Sequence, residues 1–94
     1  WLGIWHVKWL MRNLKMLNKI KAVQLRAIAL RGELVSFCGV RDIAIWAVDN
    51  PTFDEDRKYV GHTVTFEDGK AMFHWGHYDL TANEALDYFK SKIS

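Results

Sequence analysis

The stretch YVGHTVTFEDGKAMFHW, residues 59–75, decides the fold. Asp68-Gly69 supplies the two consecutive residues of positive φ that a tight type I′ turn requires, so the flanking residues read as one antiparallel hairpin. Centring the turn there pairs Phe66 with Ala71, Val64 with Phe73 and His62 with Trp75 on one face. Glu67 with Lys70, Thr65 with Met72 and Thr63 with His74 fall on the other. Cross-strand neighbours share a face, so one side of this hairpin is core and the other mostly polar.

Working outward toward the C-terminus, Thr81 is followed three residues later by Glu84, the signature of a capping box. Ala82, Leu86, Phe89 and Ile93 then recur at helical spacing up to Ser94. That helix is expected to cover the apolar face of the hairpin. Toward the N-terminus, Leu34 to Cys38 and Ile43 to Val48 are short runs rich in β-branched and aromatic residues, separated by Gly39 and the Arg41-Asp42 pair. They read as two strands. Asp49, Asn50 and Pro51 close the second run, and the acidic stretch Asp54, Glu55, Asp56 reads as a solvated loop.

Residues 1–32 read as a helix. At about 100 degrees per residue, Val7, Leu10, Leu14, Leu17, Leu25 and Ile28 share one face, and Lys8, Arg12, Lys15, Lys19 and Arg26 lie on the opposite one. Lys21 interrupts the first face, and a second apolar set, Met16, Ile20, Val23, Ala27 and Leu30, drifts round the cylinder. Either both faces pack or the helix breaks near Asn18. Gly32 is the expected C-cap, with Arg31 in the last turn complementing the helix dipole. The expected fold class is therefore α+β: an N-terminal amphipathic helix, an antiparallel meander of about four strands and a C-terminal helix. The expected organisation is one small domain over 1–94, divided into a basic amphipathic helix, 1–32, and an acidic, strand-rich part with the C-terminal helix, 33–94.

Charge divides the chain at the same place. The first 32 residues carry seven Lys or Arg and no Asp or Glu, and the rest sums to minus five. The overall +2 conceals this split. Half of the residues are apolar and five are Trp, which excludes a disordered composition. The chain opens on Trp1 rather than Met, as expected of a processed product or of a fragment, with Met11 and Met16 as alternative starts. Its first residues are interrupted by His6 and Lys8, too early for a membrane span of about 20 apolar residues or for a secretory signal. A transit peptide would suit the lack of acid, but residues 1–32 contain no Ser.

Chemistry-bearing motifs are sparse. Cys38 is the only cysteine and reads as a small buried hydrophobe. That excludes an internal disulfide and favours a reducing compartment such as the cytoplasm. His74 and His77 lie three apart, but strand alternation points His74 away from His62, so no metal site is expected unless a bulge forms near Gly76. No G-x-S-x-G, H-E-x-x-H, P-loop or G-x-G-x-x-G pattern occurs, and Ser36 and Cys38 have no base nearby in sequence. Asp49 and Asp54 to Asp56 lack the alternation and closing Glu of a calcium loop. An alternative role for that acidic loop is to pair with the basic helix of a neighbouring copy.

What remains is the helix. A solvated outer face would ordinarily intersperse Glu or Asp to form i, i+4 ion pairs, yet Lys8 with Arg12 and Lys15 with Lys19 place like charges at that spacing. Trp1, Trp5 and Trp9 accompany the stripe. The expectation is a non-catalytic protein-interaction module, of accessory, inhibitor or adaptor type, with no cofactor and no metal. It would dock on an acidic protein surface through Trp5, Lys8, Trp9, Arg12, Lys15, Lys19 and Arg26. Nucleic-acid binding through phosphates is the first alternative, attachment to a membrane surface the second, and a homo-oligomer is compatible with each.

Overall fold

The structure, a computed structural model, describes the backbone over residues 2–94 and side chains from residue 7 onward. Helix α1, Leu2–Ala29, runs without a break at Asn18. The face that packs is the second apolar set: Val23 and Ala27 are fully buried, Ala22 nearly so, and Leu30 is half-buried against the core. The Val7 face turns to solvent, with Val7, Leu10, Leu14, Leu17, Leu25 and Ile28 each between 41% and 64% exposed. Side-chain volume explains the choice. The sheet presents Phe37, Trp46, Phe66 and Phe73 to the helix, and small residues there let the backbone approach at close-packed density.

The helix ends one residue earlier than its composition suggests. Arg31, with φ of 60°, takes the left-handed position expected of Gly32, and its N–H donates to the Ile28 carbonyl at 2.9 Å. Gly32 instead opens the first strand, where a Cβ would stand 2.3 Å from the Trp46 ring and 2.5 Å from the Ala47 carbonyl. Close approach, not a cap, is what demands glycine there.

Four strands follow: β1 Gly32–Cys38, β2 Ile43–Val48, β3 Tyr59–Glu67 and β4 Lys70–Leu80, antiparallel in the order β1-β2-β3-β4. The α+β architecture read from the sequence is thus the architecture observed. At the β3–β4 turn, Asp68 and Gly69 have φ of 52° and 75°, and the five pairs nearest the turn, from Glu67–Lys70 to Thr63–His74, follow the expected register. Thr63 faces His74, but Gly61 faces His77, because Trp75, with φ of 50°, and Gly76 form a bulge. The expected His62–Trp75 pair does not form. Trp75 is 78% exposed.

Strand alternation then separates two faces. Ala44, Trp46, Val60 and Val64 pack toward α1. Gly61 and Thr63 face the other way, toward α2, Ala82–Ile93, whose Tyr88 ring lies over Gly61 and whose hydroxyl bonds Thr63. The two helices therefore cover opposite faces of the sheet, and α1, not the C-terminal helix, covers the apolar face of the β3–β4 hairpin. The capping box forms as expected: Thr81 Oγ1 accepts from the Glu84 N–H at 3.2 Å and Glu84 Oε1 accepts from the Thr81 N–H at 3.1 Å. The inward side of α2 is turned from the expected one. Ala85 is buried and Tyr88 and Phe89 half-buried, whereas Ala82, Leu86 and Ile93 remain exposed.

Contacts of α1 concentrate on the edge strands β1 and β4, so the sheet curls round the helix. At the β1–β2 turn, Met16 packs on Gly39. Between residues 7 and 18 every side chain is exposed, and the molecule measures 56 × 28 × 19 Å. The first part of α1 accordingly projects beyond the sheet.

Candidate functional site

The projecting part of α1 joins an apolar ridge along the back of the helix. Val7, Leu10, Leu14, Leu17, Lys21, Gln24 and Ile28 follow one another at alternating steps of three and four residues, with Leu25 beside Gln24. Steps of that kind keep side chains on one line of an α-helix, and the line spans about 30 Å at roughly 1.5 Å per residue. Met11, Asn13 and Asn18 border it, all exposed. This row leaves Val7, Leu10, Leu14, Leu17 and Ile28 exposed along one line, and rows of this kind mark contact sites.

The cations of α1 do not act as one stripe. Lys19 is engaged within the chain: Nζ bonds Asp42 Oδ1 at 3.1 Å and the Gly39 carbonyl at 3.2 Å, and lies 5.3 Å from the centre of the Phe66 ring. Arg26 is half-buried beside β4, among Ala22, Leu25, Lys70 and Met72, and its Nε has no hydrogen-bond partner among the described residues. Lys8, Trp9, Arg12 and Lys15 are exposed on the projecting part. Trp5 lies outside the residues whose side chains are described, as does Trp1. Of the acidic loop, Asp54, Glu55 and Asp56 are exposed and none pairs with Arg12, Lys15 or Lys19. Among the described residues, the ion pairs are Lys19–Asp42 and Arg57–Glu84, the latter at 3.0 Å.

Beneath α1 lies a polar chain, buried at Trp46 and His62 and open to solvent at Tyr78, that the sequence did not announce. Trp46 Nε1 donates to His62 Nδ1 at 2.9 Å, and His62 Nε2 stands 3.1 Å from the Tyr78 hydroxyl. Because Nδ1 accepts, the neutral ring carries its proton on Nε2 and donates it to Tyr78. The β4 bulge makes this possible by bringing Tyr78 across, and Gly76 leaves the room: a Cβ there would lie 2.5 Å from both His62 Nε2 and the Tyr78 ring. Burial, followed by the positive charge of Arg26 and then by His74 and His77, pushes the His62 pKa down from 6.5 to about 4. His62 is a neutral, doubly bonded core residue. The one signal in the sequence is Gly76 between His74 and His77, the position at which a bulge redirects the strand.

No three His, Cys, Asp or Glu side chains among the described residues converge into a metal-binding group. His74 Nε2 lies 2.7 Å from Thr65 Oγ1, and the His77 ring packs on Tyr88 with centroids 4.7 Å apart. Cys38 is half-buried rather than buried. No helix among the described residues is long and apolar enough to cross a membrane. No protein-family model, curated protein or solved structure matches this chain.

Proposed function

We propose that this chain is a small non-catalytic protein-interaction module that docks through α1. The single observation that carries the reading is the outward position of the Leu10, Leu14 and Leu17 row on a helix whose opposite face already fills the core. Leucines left in water cost free energy that docking recovers, about 25 cal/mol for each Å² of apolar surface removed from solvent. Arg12 and Lys15, exposed on the opposite face of the same projecting segment with Lys8 and Trp9 beside them, contribute a positive field that favours an acidic partner surface.

Two features favour protein over the other anionic partners. A helix lying in a membrane surface sets cations along both borders of its apolar face, whereas this row is bordered by Asn13, Asn18 and Met11 and interrupted at its middle by Lys21. A phosphate-tracking face needs a continuous cationic run, and Lys19 and Arg26 are turned to other work.

Capture from nuclease-treated lysate, followed by titration of the recovered protein against pure chain, tests the proposal. The double variant Leu14→Glu/Leu17→Glu is expected to lose binding at least about tenfold, one decade for each 1.4 kcal/mol. Arg12→Glu/Lys15→Glu is expected to weaken it less and to reduce its salt dependence. Retention of binding by the leucine variant, or saturable binding to duplex DNA or anionic vesicles at lower concentration than to protein, overturns the reading.

A further inference from the structure

We infer that the cavity between the second half of α1 and the β3–β4 hairpin binds a small carboxylate with an apolar body. On the helix side stand Ala22, Leu25, Arg26 and Ala29, spaced i, i+3, i+4 and i+7 and so on one face of α1. Facing them are the turn at Gly69 and then Lys70, Ala71 and Met72 of β4. Ala22, Ala29 and Ala71 end at Cβ, and the space they leave unfilled amounts to about 280 Å³. That is some nine water volumes at roughly 30 Å³ each, room for an acid of about eight non-hydrogen atoms. The site is separate from Leu10, Leu14 and Leu17, on which the docking reading rests, so either can fail alone.

The charge of the cavity gives the ligand its sign. Arg26 and Lys70 line it and no Asp or Glu does. Among the described residues neither cation joins an ion pair, and Glu67, which faces Lys70 across the turn, closes none. Arg26 is half-buried: its Nε is shut off from solvent and bonds nothing, while its Nη groups stay open. A guanidinium that has lost part of its water without gaining an acceptor carries a cost that an anion removes. The charge is felt in the core as well, where Arg26 follows burial as the second cause of the low His62 pKa.

The walls decide what kind of anion fits. A carboxylate sets its two oxygens against the planar fork of a guanidinium, and such charge-assisted bonds are about twice as strong as neutral ones. Ala22, Leu25, Ala29, Ala71 and Met72 complete the lining, so the remainder of the ligand is hydrocarbon. Phosphate or sulfate would turn its unmatched oxygens onto those methyl and methylene groups. The cavity on the other face of the sheet, about 270 Å³ between β1 and α2, has no charged residue in its lining and offers an anion nothing.

Titration of the full chain with hexanoate, followed by NMR, tests the assignment against hexan-1-ol, which has the same chain and no charge. Saturable shifts are expected at Ala22, Ala29, Ala71 and the Met72 methyl, with hexanol at least about tenfold weaker. Arg26→Gln is expected to abolish hexanoate binding and Lys70→Gln to weaken it, whereas Lys90→Gln, the same loss of charge on α2, leaves it unchanged. Ala29→Leu, at an exposed helix position, fills the cavity and is expected to block binding with the circular dichroism of the fold intact. Should Arg26→Gln fail to fold, Lys70→Gln and Ala29→Leu decide. Equal binding of hexanol and hexanoate, an equal loss in Lys90→Gln, full binding by Ala29→Leu, shifts confined to Leu10, Leu14 and Leu17, or no saturable shift overturns the site.

Discussion

Trp46 Nε1 donates a 2.9 Å hydrogen bond to His62 Nδ1 beneath α1, fixing the tautomer of a histidine that folding keeps uncharged. Its pKa is about 4 when folded against 6.5 in the unfolded chain, so between those values the unfolded state binds more protons. The stabilisation is complete above pH 6.5 and is lost as the pH falls toward 4. Urea midpoints of the wild type are expected to drop by an amount worth on the order of 2–3 kcal/mol across that window. His62→Phe is expected to flatten the profile, and at pH 7.5 to cost about 1–3 kcal/mol by orphaning the buried indole N–H. A wild-type profile flat from pH 6.5 to 4 contradicts the assignment.

Gly32→Ala is expected to destabilise by about 2–3 kcal/mol, since its methyl meets both the Trp46 ring and the Ala47 carbonyl oxygen, and backbone cannot yield as a flexible side chain does. Thermal unfolding measures it. A loss below about 0.5 kcal/mol, the ordinary scatter of surface substitutions, would show that the start of β1 is not packed on Trp46.

Thr81→Ala is expected to cost about 1 kcal/mol by removing the oxygen that accepts from the Glu84 N–H. Faster amide exchange in the first turn of α2, with the protection of β2 and β3 kept relative to global stability, would locate the loss in the cap. The Thr81 backbone and hydroxyl, more than Arg57, hold the Glu84 carboxyl below its usual range. The reciprocal bond is therefore present above that range and lost as the pH falls through the lowered value.

The α1 cations should separate into two kinds. Lys19→Glu sets two carboxylates together beside Asp42 and withdraws the cation from Phe66, and is expected to cost about 1 kcal/mol. Arg12→Glu and Lys15→Glu, exposed on the projecting segment, are each expected to change stability by less than about 0.5 kcal/mol. Denaturant titrations of the three variants read the difference. Equal effects would mean that Arg12 and Lys15 have partners within the chain.

The strand pattern, the Asp68-Gly69 turn and the Thr81 cap were legible because each is a local rule satisfied by neighbouring residues. Which face of α1 packs was not. Both apolar sets have helical spacing, and the decision lies in volume: Ala22, Val23 and Ala27 fit beneath a sheet crowded with Trp46, Phe66 and Phe73, and leucines do not. The β4 bulge was illegible for a similar reason. It depends on Gly76 clearing both His62 and Tyr78, contacts that no period along one strand encodes. Charge in the first 32 residues was visible as a block, but the withdrawal of Lys19 toward Asp42 and of Arg26 beside β4 needed the positions of distant turns.

The measurement that bears most directly on the outward ridge is the unfolding free energy of Leu14→Glu/Leu17→Glu at a concentration where the chain is monomeric. Residues in water tolerate such a change, so the account predicts a shift within about 0.5 kcal/mol of wild type for each substitution. A loss of several kcal/mol, as when charge is forced into a packed interior, would place those leucines inside the fold and contradict it.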